Sequence, residues 1–214
     1  MNTLARSGLV CLAVWVAAAG AAEPAVYTVD AAASDIHWRV YKAGSFSRFG
    51  HNHVISVGEL TGTVTRDAES GAATFELTIP VAGLVVDDPV LRTFYGEEFS
   101  SVPSEKDIAG TRDNMLGEKV LDAEHHATLM IRGRLEGSAL EAATLTVAIE
   151  LLGRSIPVSV PSKIIVADDV ITASGAFRLT HEQLGMEPFS IMLGALAVAP
   201  ELDFSFDVRA TRVP

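Results

Sequence analysis

The fold class of this chain is decided by one stretch of sequence, Leu202-Asp203-Phe204-Ser205-Phe206-Asp207-Val208-Arg209-Ala210-Thr211. Apolar and polar residues alternate strictly along it, so every second side chain is apolar. A β-strand points successive side chains to opposite faces, whereas an amphipathic helix needs apolar residues three and four positions apart. The stretch therefore predicts a strand with one buried face and one solvent-facing face.

The same period of two recurs through most of the chain. Four further stretches show it clearly: Ile36-Trp38-Val40, Phe75-Leu77-Ile79, Leu145-Val147-Ile149-Leu151 and Ala173-Phe177-Leu179. Weaker alternation marks residues 54–66, 127–135 and 155–166, where Pro157 and Pro161 predict a strand edge or a bulge. About eight strands with one apolar face each predict an all-β fold, either a closed antiparallel barrel or a sandwich.

Residues 87–119 interrupt this alternation. Ser104 followed three residues later by Asp107 resembles a capping box, which predicts a short helix through Met115 with Gly117 ending it. Such a helical insertion could cover one mouth of a barrel or merely cross between strands. No repeat, low-complexity tract or linker is found elsewhere, so we expect one domain over residues 23–214.

Residues 1–22 have the features of a secretory signal peptide. Arg6 gives a positive start, residues 9–19 are apolar, and small residues follow. The apolar run is shorter than the roughly 18 residues that a transmembrane helix needs. We therefore expect cleavage after Ala21 or Ala22, no transmembrane span, and a periplasmic or secreted protein.

Composition and charge exclude several classes of function. The net charge of −11 repels a phosphate backbone, so nucleic-acid binding is not expected, and it disfavours an anionic membrane surface. The single cysteine, Cys11, lies in the leader, so the mature chain has no thiol nucleophile. The sequence has no nucleophile elbow, phosphate-binding loop or dinucleotide fingerprint. These features favour a binding protein over an enzyme, and adjacent acidic pairs such as Asp87-Asp88 are interpreted as turns.

Five stretches, in their order and spacing, carry a family resemblance. They are Tyr27-Thr28-Val29-Asp30, Ser34-Asp35-Ile36-His37-Trp38, Thr111-Arg112-Asp113-Asn114-Met115-Leu116-Gly117-Glu118-Lys119-Val120-Leu121-Asp122-Ala123, Ala173-Ser174-Gly175-Ala176-Phe177-Arg178-Leu179 and Leu184-Gly185-Met186-Glu187-Pro188-Phe189-Ser190. Together they resemble the YceI-like family of exported proteins over essentially the whole mature chain.

This resemblance implies an extended, lipocalin-like antiparallel barrel of eight strands. It further implies a non-catalytic carrier whose apolar lumen holds a long lipid, either a polyisoprenoid or an isoprenoid quinone. The stretch Gly50-His51-Asn52-His53 resembles one subgroup of the family, whereas His125-His126 departs from the aromatic-proline pair of many members. The identity of the lipid and the oligomeric state stay open, with a dimer as one option.

His51 and His53 are the strongest candidates for polar chemistry. Two positions apart on a strand, they face the same side, as a shared metal ion or one polar ligand group requires. A metal-binding protein or metal-dependent enzyme is therefore the alternative function, with a third ligand from His125, His126 or His181. A further interpretation is that both histidines bind the polar head of a lipid at the lumen mouth, beside Phe46 and Phe49.

The remaining candidate ligand-binding residues are large apolar side chains in the less regular segments: Phe94, Tyr95, Phe99, Met115, Met186, Phe189 and Leu193. An eight-stranded barrel either fills its interior with side chains or leaves room for one ligand. Small residues at Gly62, Gly175, Ala176 and Gly194 favour a cavity over a filled interior.

Overall fold

The strands belong to one antiparallel sheet. The computed structural model describes residues 23–135 and 140–213. Its strands are β1 Ala25–Val29, β2 Asp35–Ala43, β3 His53–Val57, β4 Thr61–Arg66, β5 Ala73–Pro80, β6 Leu84–Val86, β7 Thr128–Leu135, β8 Ala143–Leu151, β9 Arg154–Ala167, β10 Val170–Thr180, β11 Ser190–Ile191 and β12 Leu196–Arg212. The alternating stretches of the sequence all lie on these strands, so the predicted all-β class is confirmed.

Eight of the strands close into a ring, as the sequence predicts for a barrel. Around the ring the order is β1-β4-β5-β7-β8-β9-β10-β12, and β12 returns to pair with β1. Each neighbouring pair is antiparallel. The remaining strands β2, β3 and β6 continue outward from β12, and β11 pairs with the start of β12. The barrel is therefore closed at the β1 end and flared at the other.

Strand β12 holds the two parts of the barrel together. One edge of it pairs with β10 from Glu201 to Thr211. Its other edge pairs first with β2, from Ala197 to Asp207, and then with β1, from Ala210 onward. Because the strand has 17 residues, it is long enough to serve as both the wall of the flared end and the seam of the closed end.

The interval without alternation forms two helices rather than one. Helix α1 spans Pro89–Phe94, begins with the Asp88 side chain as its N-cap, and has proline in its first turn. Helix α2 spans Glu105–Leu116 and begins with a complete capping box between Ser104 and Asp107, as predicted. Gly117 caps its end. The single predicted helix was therefore correct for α2, and α1 is an addition to it.

The two helices have different places in the fold. Tyr95, which ends α1, contacts His37 on β2, and side chains at odd positions of β2 point away from the lumen. Helix α2 instead packs near β6, where the Arg112 side chain donates to the carbonyls of Ala82 and Leu84. Helix α2 thus covers the flared mouth, while α1 lies on the outer wall.

The prolines of β9 lie in the part of the strand that has no register with β10. Strand β9 pairs with β8 from Arg154 to Ser162, but its register with β10 covers only Lys163 to Ala167. Pro157 and Pro161 lie in the part without that second ladder. A proline there removes no ladder hydrogen bond to β10, as the prediction of an edge or a bulge requires, although β9 itself is an inner strand of the ring between β8 and β10.

Two glycines provide a matched test of packing. A Cβ at Gly175 would lie 2.5 Å from the Pro161 carbonyl oxygen and 2.9 Å from the Phe206 ring, whereas one at Gly110 in α2 would meet nothing within 4 Å. We expect Gly175→Ala to destabilise the protein by about 1–3 kcal/mol through overpacking. Gly110→Ala should instead stabilise it by roughly 0.5–1 kcal/mol. Urea denaturation measures both, and equal effects would contradict this packing.

The predicted leader and its cleavage site lie outside the described residues. Within residues 23–135 and 140–213, no helix is both long enough and apolar enough to cross a membrane.

Candidate ligand-binding lumen

The barrel interior is a cavity rather than a packed core. Its volume is about 620 Å³, within the range of roughly 300–1,000 Å³ that is usual for ligand sites. Every strand of the ring except β1 contributes lining side chains, and nearly all of them are apolar. The lumen thus has the size and the chemistry of a site for an apolar molecule.

One wall of the lumen is aromatic. The rings of Phe177 and Phe204 stack at 5.1 Å between centroids, Trp38 lies 5.7 Å from Phe204, and Phe206 meets Phe177 edge-on at 6.4 Å. All four side chains line the cavity and are only partly buried. Flat rings offer a chain-like ligand a large apolar surface with little conformational entropy to lose.

The small residues do not create this space in the way the sequence suggested. A Cβ at Gly62 would lie 2.7 Å from the Leu77 side chain, and Gly175 is covered by Phe206. Ala176 is exposed on the outer face, and Gly194 lies in a turn beside β12. The expectation of a cavity is therefore met, but these four small residues are not what leaves the space.

The mouth under α2 is polar. Five polar or charged side chains line this end of the cavity: His51, His53, Lys106, Asp107 and Thr111. A ligand with an apolar chain and one polar end would therefore place its polar end here.

His53 is held by a buried carboxylate. Its Nδ1 lies 2.6 Å from Asp87 Oδ2, and the Asp87 side chain has no solvent exposure. The other carboxylate oxygen accepts from the Val54 backbone N–H at 3.0 Å. Asp87 has a φ of 58°, a left-handed conformation that aspartate tolerates better than most residues. This conformation marks a locally strained position of the kind found at functional sites.

Arg92 completes the support of this carboxylate. Its guanidinium donates to Asp87 Oδ1 at 2.5 Å and to the Asn52 carbonyl at 2.7 Å. It also donates to the carbonyls of Phe99 and Ser101, at 3.0 and 2.6 Å. The arginine thereby ties the 87–101 segment to β3 and neutralises a charge that would otherwise be buried alone.

The environment keeps Asp87 ionised. Burial acts to raise the pKa of Asp87, but the hydrogen bond and charge of His53, with donations from Val54 and Arg92, hold that pKa below its usual value. Asp87 therefore accepts the Nδ1 proton of His53, and in neutral His53 the Nε2 atom is left as a hydrogen-bond acceptor. Nε2 faces the Thr111 hydroxyl at 3.4 Å.

His51 has weaker partners than His53. Its Nδ1 lies 3.3 Å from the Ser101 hydroxyl and its Nε2 lies 3.8 Å from Asp107 Oδ2. The two histidine rings are 6.2 Å apart between centroids, so both face the mouth as their spacing predicted.

The histidines do not assemble the metal site of the alternative function. Among the residues that the structure describes, no three His, Cys, Asp or Glu side chains are grouped to hold a metal ion. The proposed third ligands have other partners: His125 and His126 lie near Asp122, and His181 Nδ1 contacts the Pro200 carbonyl at 3.0 Å. His181 lines the lumen, where burial lowers its pKa and favours the neutral form.

The structure separates the candidate ligand-binding residues into two groups. Those that line the lumen are Phe49, His51, His53, Met115, Met186 and Phe189. Those outside its lining are Phe46, Phe94, Tyr95, Phe99 and Leu193.

The position of α1 explains why Phe94, Tyr95 and Phe99 lie outside the lining. Phe99 lies 5.5 Å from Tyr95 and 6.0 Å from Tyr41 on the outer face of β2. Phe94 is 80% exposed, and Leu193 is fully exposed in the turn between β11 and β12. A sequence without alternation does not reveal on which side of the barrel wall an insertion packs.

Three residues of the mouth were missed by the sequence analysis. Asp87 was interpreted as part of a turn, whereas only Asp88 caps a helix there. Arg92 carried no signal, and Thr111 appeared only as the first residue of a stretch that carries the family resemblance. The only available hint was the order Asp87-Asp88-Pro89. One aspartate before the proline is enough to cap the helix, so the other is free to take a different role.

A family model for the YceI-like domain matches residues 27–210. No curated protein matches the chain.

Several solved structures share the fold. BcnA of Burkholderia cenocepacia is 15% identical, with 86% of this chain and 99% of that chain covered and a TM-score of 0.61. A polyisoprenoid binding domain from Saccharophagus degradans, implicated in plant cell wall breakdown, is 10% identical, with coverage of 87% and 98% and a TM-score of 0.57. The YCEI protein of Campylobacter jejuni is 10% identical, with coverage of 75% and 85% and a TM-score of 0.54. At these identities the likeness concerns the fold.

Proposed function

The chain belongs to the YceI-like family, and from this premise we propose that it is a non-catalytic protein that binds one long lipid in its lumen. The observation that carries the proposal is the apolar cavity of about 620 Å³ inside the barrel. The polyisoprenoid-binding domain of Saccharophagus degradans, which shares the fold, supports a polyisoprenoid as the lipid. An isoprenoid quinone is the second candidate, because its tail is an isoprenoid chain.

The energy of such binding follows from the apolar lining. Each methylene that leaves water contributes about 0.8 kcal/mol, so ten buried methylenes contribute roughly 8 kcal/mol before ordering costs. The ordering costs fall mainly on the flexible chain, because the barrel wall is preformed. A lipid that is only partly enclosed is thus held with useful affinity.

We also propose that the protein acts outside the cytoplasm, in the periplasm or after secretion. Residues 1–22 support this through their positive start, apolar run and small-residue end. A carrier of a water-insoluble lipid between membranes works in an aqueous compartment, which fits an acidic exported barrel.

Intact mass spectrometry tests these proposals together, on protein that the cell has exported with its own leader and that is then purified. The denatured mass is expected to correspond to a chain that starts at Ala22 or Glu23. The native mass should exceed it by an organic adduct that is released on denaturation and whose fragments identify the lipid.

The other outcomes of this measurement are equally definite. A metal-sized adduct would support the alternative metal-binding function of His51 and His53. A bare mass that persists after incubation with excess geranylgeraniol would contradict the lipid-binding proposal.

A further inference from the structure

The mouth of the lumen contains a hydrogen-bond acceptor that binding of a lipid tail does not use. His53 Nε2 faces the cavity, and its acceptor character is imposed by Asp87 on the opposite side of the ring, 2.6 Å from Nδ1. The Asp87 carboxylate is fully buried and also bound by Arg92 and the Val54 N–H. This framework fixes the histidine in one orientation and, when neutral, in one tautomer.

Thr111 supplies the second polar atom at the same point. Its hydroxyl, on helix α2, lies 3.4 Å from His53 Nε2, which is a long contact for a hydrogen bond. An oxygen atom placed beside both groups would accept from the threonine hydroxyl and donate to Nε2. Only a hydroxyl group does both at once, since carbonyl and ether oxygens have no proton to donate.

Resting on the proposed function, we propose that His53 and Thr111 form a head-group site that selects lipids ending in a hydroxyl group. The ligand class is a prenyl alcohol, or the reduced hydroquinone form of an isoprenoid quinone. The oxidised quinone, a methyl ether or a plain hydrocarbon of the same length cannot donate to Nε2. Nε2 then keeps only its long contact with the Thr111 hydroxyl, and a poorly satisfied acceptor is costly in an apolar site.

The test compares geranylgeraniol with its methyl ether, two probes with the same chain. The wild-type protein is expected to bind the alcohol about three- to tenfold more tightly, as one satisfied hydrogen bond predicts. His53→Phe and, independently, Thr111→Val should each bring this ratio close to one, with affinity for the ether almost unchanged. Thr111→Val keeps the shape of the side chain and leaves the Asp87 network intact.

A histidine outside the lumen is the matched control. His125→Phe should keep the wild-type preference, because His125 is exposed and its Nδ1 lies 2.8 Å from Asp122 Oδ1. Equal binding of alcohol and ether by the wild-type protein would overturn the head-group site while leaving tail binding in place. Failure to bind either probe would overturn the proposed function and, with it, the head-group site.

A second inference concerns the outer rim of the mouth. Five large apolar side chains are exposed on two adjoining loops, and we call them the mouth patch: Phe46, Phe49, Ile191, Met192 and Leu193. The loops touch where the Phe46 N–H donates to the Ala195 carbonyl at 2.7 Å. Leu193 is fully exposed, and Phe49 is 66% exposed while also lining the lumen. The patch is therefore continuous with the cavity.

The turn of the patch is held in a costly conformation. Met192 and Leu193 have φ values of 53° and 56°, in the left-handed region that such side chains rarely adopt. A strained backbone and an exposed apolar side chain each cost free energy in water. The conformation of this turn therefore points to a second surface that buries these side chains.

The charge around the patch indicates which surface this is. Residues 40–58 contain Lys42 and Arg48 and no acidic residue, and residues 188–200 contain no charged residue, in a chain with 27 acidic side chains. The Arg48 guanidinium lies 4.5 Å from the Phe49 ring centroid. Apolar side chains flanked by basic ones suit the interface of an anionic bilayer. The local charge thus opposes the repulsion that the net charge predicts.

We infer that the mouth patch docks on an anionic lipid bilayer, with the lumen opening toward it. Flotation with phosphatidylcholine vesicles, with and without phosphatidylglycerol, tests this. The wild-type protein should bind the anionic vesicles, and the double variant Met192→Ser/Leu193→Ser should bind them at least about tenfold more weakly.

The control alters equally exposed side chains elsewhere. Val90 and Phe94, each 80% exposed on α1, lie on the outer wall, so Val90→Ser/Phe94→Ser should bind as the wild type does. Equal losses of vesicle binding in the two double variants would overturn the docking surface. A wild-type dimer that becomes monomeric in Met192→Ser/Leu193→Ser, without vesicle binding, would assign the patch to a second copy and also overturn it.

Discussion

Replacing Ala173 by tryptophan is expected to empty the lumen of lipid while the barrel remains folded. Ala173 lies in the first half of β10, lines the cavity and is only partly buried, so an indole ring at this position extends into the lumen. Each methylene of tail that the ring displaces removes about 0.8 kcal/mol of binding energy, and two of them suffice for a tenfold loss. We expect at least a tenfold fall in lipid bound per protein, measured by extraction and mass spectrometry.

The same strand offers the control for this substitution. Ala176 is three residues away and exposed on the outer face, so Ala176→Trp adds the same ring without entering the lumen. It should retain wild-type lipid. Both variants need to show wild-type circular dichroism. Full lipid content in a folded Ala173→Trp protein would contradict binding within the barrel.

Replacing Arg92 by alanine is expected to cause the largest loss of stability. The substitution leaves the Asp87 carboxylate buried without its cation and removes donors from three backbone carbonyls. Breaking one partner of a buried ion pair typically costs about 3–5 kcal/mol. For a chain of this length each kcal/mol lowers Tm by roughly 2–4 °C, so the expected fall is about 6–20 °C.

An exposed ion pair serves as the comparison. Arg132 Nε lies 2.6 Å from Glu76 Oε2, yet both side chains are about half exposed. Solvent already stabilises these charges, so Arg132→Ala should change Tm little. Similar losses for Arg92→Ala and Arg132→Ala in thermal denaturation would show that burial of Asp87 does not govern the effect.

The fold was largely predictable because each of its determinants is local. Alternation such as that of Leu202 to Thr211 needs only one strand and one buried face. The capping box of Ser104 and Asp107 needs only four consecutive residues. A closed barrel then follows from the number of half-buried strands that must share one core. Barrel or sandwich stayed open from the residues alone, because closure depends on which strands pair at the edges.

The mouth was less predictable because its contacts are not local. Asp87 and His53 are separated by more than 30 residues, and the link between them depends on a left-handed backbone at Asp87. Sequence spacing placed His51 and His53 on one face but gave no indication that Asp87 would lie behind only one of them. Likewise, Phe99 and Met115 were equally good lumen candidates until the structure placed the α1 segment outside the wall and α2 over the mouth.

The seam of the barrel has a consequence for the order of events in folding. The edges that meet there belong to Ala25–Val29 and to the end of Leu196–Arg212, so the final closure joins segments separated by most of the described chain. Contacts between such distant segments form slowly, because loop closure must precede any gain from pairing. A growing or partly folded chain therefore has an open sheet and no enclosed lumen. Lipid can be captured in a protected site only after the last strand has paired. Lipid loading therefore follows the completion of folding.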